Sequence, residues 1–208
     1  MNLLECLVGL ALSLMLVAPL IKNSGELISK QIQQEKSQSL SVEADRALEL
    51  MGRAIRMAGY RNAQSFNKSA KKDYSANEYI QIERHRGYQG SDSLLVKHEI
   101  SRGVDFDCIG NALSKERTKN NLAHQGFLVE RQASASKGMK VNGGSLICQS
   151  LDRQGRIQNT TLMNGVNHLS FEALPASIGK AFRIKLVMTD GGFIHREFER
   201  TFVTRNLL

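Results

Sequence analysis

The chain begins with apolar sequence. From Cys6 to Ile21 (CLVGLALSLMLVAPLI) no residue is charged, and with Leu3 and Leu4 the apolar run nearly reaches the first residue. That length sits at the lower limit for a bilayer-spanning helix, about 17–25 residues. No Lys or Arg precedes Lys22, and Glu5 stands where a secretory signal would carry positive charge. Residues 1–24 are therefore expected to form a retained single-pass membrane and assembly helix rather than a removed signal. Pro19 lies inside this run, removes one backbone hydrogen bond and is expected to break or loosen that turn.

After Lys22 the sequence becomes polar while keeping a helical rhythm. Leu40, Ala44, Ala47, Leu48, Met51, Ile55 and Ala58 recur at three- and four-residue steps and make one apolar stripe. Glu49 and Arg53 are spaced for an i,i+4 ion pair on the other face. Gly59 suits a C-cap. Residues 25–60 are expected to be an amphipathic continuation of the first helix, packed on a domain formed by residues 61–208.

Residues Arg61 to Asn77 are polar and irregular. Beyond them the pattern changes to strands: Tyr79–Arg84, Ser93–Ile100, Phe127–Arg131, Ser145–Gln149, Val166–Leu174, Phe182–Thr189 and His195–Thr204. In FRIKLVM, Phe182, Ile184 and Leu186 face one way, and Arg183 and Lys185 the other. The TDGG stretch, Thr189–Gly192, signals a hairpin. The fold class is α+β: one long N-terminal helix, with a membrane half and an amphipathic half, on an antiparallel sheet with one apolar and one basic face.

The 208 residues are 41% hydrophobic and 23% charged, with a net charge of +8. These values suit a folded domain and exclude a disordered chain. The basic balance favours acidic partners, DNA among them. The DNA contacts would be Lys68, Lys71, Lys72, Arg84, Arg86, Lys115, Arg117 and Lys119, set against a merely solvated basic surface. Of the three cysteines, Cys6 lies in the apolar run, whereas Cys108 and Cys148 lie in polar sequence. The latter two either form a disulfide, which implies an oxidising compartment, or remain buried thiols. No cysteine or histidine spacing suits a metal, and no cofactor is expected. Asp105, Asp107 and Asp190 suit turns better than a calcium site, which needs six or more oxygens. The five scattered histidines and the lack of HExxH, GxSxG or GxxxxGK motifs argue against an enzyme. Glu5, beside an apolar span, needs a partner or the interface. The helix N-terminus, the Met1 ammonium or the headgroups could each serve.

The start, MNLLECLVGL, resembles that of a mature type IV pilin. Met1, Leu3, Leu4, Glu5, Val8, Gly9 and Leu10 sit where that family has its initial Phe or Met, its apolar positions and its Glu. RALELMGRAIRMAGYRNA, DFDCIGNAL around Cys108, LICQS around Cys148, NGVNHLSFEAL and the closing TFVTRNLL resemble PilW-type minor pilins, so the resemblance spans most of the chain. Cys6 departs from the family's larger apolar residue. The resemblance implies cleavage before Met1 by a prepilin peptidase and N-methylation of Met1. It also implies that Glu5 pairs with the Met1 amine of a neighbouring subunit. It implies partnership with other minor pilins, the major pilin and the inner-membrane assembly platform. The subunit would sit in the inner membrane with its domain in the periplasm, then at the pilus tip. It would prime assembly and support twitching, adhesion or DNA uptake. The alternatives are a J-type minor pseudopilin of type II secretion and a pilus-associated DNA-binding subunit.

Overall fold

The computed structural model describes residues 3–62, 76–101, 103–132, 142–175 and 179–207, apart from the side chains at 14, 16, 18–20, 76 and 77. Helix α1 (Leu3–Met57) is followed by a single turn, α2 (Ala76–Tyr79). Seven strands follow: β1 (Ile80–Glu83), β2 (Ser93–Glu99), β3 (Leu122–Arg131), β4 (Gly144–Leu151), β5 (Ile157–Leu174), β6 (Ala181–Thr189) and β7 (His195–Val203). They form one antiparallel meander in chain order. By its internal contacts the chain divides into residues 1–39 and 40–208, with the division inside α1.

The membrane half of the expected fold is overturned. Among the described residues no helix is long and apolar enough to cross a membrane. The physical reason is length and charge: Glu5 and Lys22 bound an uncharged run of sixteen residues, short of the about 17–25 a span needs. The expected single-pass inner-membrane placement falls with it. Helix α1 runs through Pro19 without interruption.

The stripe from Leu40 to Ala58 is buried, and every residue named for it joins the core. It meets alternate residues of the sheet. In β2, Leu94, Val96 and His98 are buried; in β6, Phe182, Ile184, Leu186 and Met188 are, the two-residue period of a half-buried strand. Burying this stripe against the sheet supplies most of the hydrophobic gain that holds residues 40–57 in place. Gly59 takes φ +73° just past α1, and its N–H donates to the Lys97 carbonyl at 3.1 Å. It is the left-handed residue that ends the helix. Glu49 pairs with Arg56 rather than with Arg53, because Arg56 is held over the Phe202 ring, 5.5 Å from its centroid.

The opposite face of β6 is not the basic face expected from FRIKLVM. Arg183 meets Glu172 (3.1 Å) and Glu199 (3.0 Å), and Lys185 meets Glu197 (2.9 Å). The antiparallel register places Lys185 opposite Glu199 and Arg183 opposite Glu172. Cross-strand acids therefore neutralise the ladder.

Strands β3 and β5 begin earlier than the hydrophobic pattern indicates. In β5 the register with β4 slips near Gly165 and ends at Val166. A Cβ on Gly165, at φ +81°, would lie 2.8 Å from the Thr189 carbonyl, so the bulge requires glycine. Beyond it, the edge of β5 vacated by β4 is taken over by Ser91 and Asp92. The Leu169 N–H donates to Ser91 Oγ (3.2 Å), the Phe171 N–H to Asp92 Oδ2 (3.0 Å), and the Asp92 N–H to the Leu169 carbonyl (2.8 Å).

Candidate assembly surface

Among the described residues, most of the exposed large hydrophobic side chains lie in residues 3–39. Leu3, Leu4, Leu7, Val8, Leu10, Leu12, Met15 and Val17 are all exposed. At 100° per residue they spread over roughly 220° of the helix surface, and Glu5, Gly9 and Ser13 fall in the remaining arc. So wide an exposed apolar face marks an interaction surface, so this segment is built to be covered. Further along, Ile21, Ile28 and Ile32 are exposed at seven- and four-residue steps, a single stripe of the kind that packs on another helix. Glu5 lies in the first turn, where the unpaired N–H groups favour a carboxylate. Cys6 is a free, exposed thiol. Met1 lies outside the described residues.

In residues 40–208, Cys108 and Cys148 form a disulfide across 40 positions, with Cα atoms 6.1 Å apart. Cys148 sits on β4 and Cys108 in the loop between β2 and β3, so the bond ties that loop to the middle of the sheet. The loop is ordered by its acids. Asp105 accepts from Ser101 N–H (2.6 Å) and Ser101 Oγ (2.7 Å). Asp107, almost fully buried, accepts from the N–H groups of Ile109 (3.0 Å) and Asn111 (2.8 Å) and meets Arg117 at 3.4 Å. Asp190 accepts from Gly192 and Ile194 N–H groups. All three are turn formers.

The cations named for DNA divide into three groups. Lys68, Lys71 and Lys72 lie outside the described residues. Arg84 meets buried Asp92 at 2.6 Å, Arg86 meets Glu83 at 3.6 Å, and Arg117 meets Asp107, so these three serve internal acids. Lys115 and Lys119 are exposed.

Sequence reasoning missed two polar arrangements. His98 is 1% exposed; its Nδ1 lies 3.0 Å from the Glu99 carbonyl and its Nε2 3.3 Å from Gln125 Nε2. Burial lowers its pKa below the usual 6.5. His124, half-buried on the other face, is pushed down to about 4 by burial and by the charges of Lys97 and Lys119. Asp92 is the second. Burial opposes its charge, yet the Phe171 and His85 N–H groups and the Arg84 guanidinium together hold its carboxyl below the usual range. The Asp92 anchor is visible only once β1 and β5 are brought together.

The chain matches no protein-family model, no curated protein and no solved structure.

Proposed function

We propose that this protein is a subunit of a helix-packed assembly, a minor pilin of the PilW type that takes part in priming a type IV pilus. The observation that carries the reading is the exposed segment of α1 from Leu3 to Val17, whose described apolar side chains cover a wide face of the helix, with Glu5 in its first turn. Such a surface is stable only when other apolar surfaces cover it. In a fibre those surfaces are the equivalent helices of neighbouring subunits, and Glu5 is the carboxylate that a cation of the next subunit meets. The disulfide-tied domain is then the part displayed outside the helical core. The partners are other minor pilins and the major pilin. The role is assembly rather than catalysis.

The test is piliation, by electron microscopy, of a strain lacking the gene and of the same strain complemented. Pili that fall sharply in number and return on complementation support the reading. Unchanged pili with lost type II secretion assign the chain to a J-type pseudopilin instead.

A further inference from the structure

We propose that the outer face of β2 and β3, together with the loop that leads into β3, is a polyanion-binding patch, centred on Lys97, His124 and Lys119, that takes the phosphodiester backbone of DNA.

Lys97 and His124 are directly opposite in the β2–β3 register, which places their Cβ atoms about 4.5–5.5 Å apart. Their strand neighbours Val96, His98, Ala123 and Gln125 are buried, so Lys97 and His124 project from the far side of the sheet. Lys119 is brought to the same place by a tight turn. Asn120 and Asn121 both take positive φ (56° and 62°), and Lys119 and Leu122 exchange backbone hydrogen bonds at 2.9 and 3.1 Å. This is the turn geometry that reverses a strand in two residues. The charged groups acting on His124 are Lys97, Lys119 and, from behind, His98. None is an acid, so the local field favours an anion.

Unlike many arginines of the domain, Lys97 and Lys119 are not used by internal acids among the described residues. Arg84, Arg86, Arg117, Arg156, Arg183, Lys185 and Arg200 each have a carboxylate within ion-pair distance. Among the described residues, Lys97 and Lys119 have none. The nearest acid along β2, Glu99, accepts the Asn62 N–H at 2.8 Å. Lys115, exposed four residues before Lys119, lies beside Glu116 and is not part of the patch.

The patch is shallow and its cations are spread over a strand pair and a turn. That suits a repeating, extended charge rather than a single enclosed phosphate. Binding through phosphates alone is indifferent to sequence and steeply dependent on salt.

The experiment is fluorescence anisotropy of a labelled random-sequence DNA duplex with the full chain, titrated from low to physiological salt. Micromolar binding at low salt without sequence preference is expected. Replacing both Lys97 and Lys119 by Ala should weaken it at least tenfold and reduce the slope of log K against log salt by about 2, roughly 0.9 for each phosphate no longer neutralised. Arg86→Ala, which removes a cation already paired with Glu83, should change affinity less than twofold. Thermal melting confirms that each variant is folded. Three results overturn the proposal: no binding by the wild type at low salt, an unchanged slope in the double variant, or displacement of the duplex by poly-glutamate as readily as by unlabelled duplex.

Discussion

Gly25 and Gly52 lie in the same helix, and replacing each by Ala should have opposite consequences. In a helix interior Gly→Ala is worth up to about 1 kcal/mol of stability, because Gly carries the greater backbone entropy when unfolded. At Gly25 nothing lies within 4 Å of the new Cβ, so the gain is realised. At Gly52 the Cβ would overlap the ring of Phe202, which is buried and stacked under Arg56. The ring cannot withdraw without opening β7 from the helix. Overpacking costs about 1–3 kcal/mol, and overlap with three atoms of an aromatic ring belongs at the upper end, about 2–3 kcal/mol, which exceeds the gain. Gly52→Ala should therefore destabilise residues 40–208 by roughly 1–2 kcal/mol after the propensity gain is subtracted. For a unit of that size the melting temperature falls by about 2–8 °C. Gly25→Ala should raise helical ellipticity with no fall in the melting temperature. Gly52→Ala combined with Phe202→Leu removes the overlap and should recover most of the loss. A Gly52→Ala variant as stable as the wild type, or more stable, would refute the packing of α1 on β7 described above.

Other consequences are measurable in the same way. Reducing the Cys108–Cys148 bond, or replacing both cysteines by Ala, should lower stability by about 3–4 kcal/mol in the chain-entropy model, read by urea unfolding with and without reductant. Asp92→Asn weakens hydrogen bonds to a charged group and should cost about 1.5–3 kcal/mol. Because the folded pKa of Asp92 is depressed, its contribution is complete above the unfolded pKa and is lost as pH falls through the folded one. His124 is depressed from 6.5 to about 4, so the unfolded state takes up its proton first. Stability should fall as pH drops through 6.5 towards 4 with a slope of at most about 1.4 kcal/mol per pH unit, then level off. His124→Gln should flatten that segment, and an unchanged slope would remove His124 from the account.

The residues legible in the sequence were those whose pattern is local. The stripe from Leu40 to Ala58 and the alternation of Phe182, Ile184 and Leu186 each follow from a single period, and both are buried as that period implies. The first half of β5 was not legible, because Ile157 to Thr161 pairs with β4 while remaining largely exposed and so shows no alternation. The charge on β6 was misread for a related reason. Arg183 and Lys185 are adjacent to Glu172, Glu197 and Glu199 only through register, which a single strand does not display. The same holds for Lys97 and His124, 27 residues apart in sequence and opposite one another in the sheet. The apolar start of α1 was legible as apolar helix, but length and apolarity alone led to a membrane span that the described residues do not provide.

The most direct test of the assembly reading is piliation in a strain whose only copy of the gene carries Glu5→Ala, with protein levels matched to the wild type. The account predicts a sharp loss of pili, because the carboxylate in the first turn of α1 would no longer meet its cation on the neighbouring subunit. Normal pili at normal protein levels would contradict it.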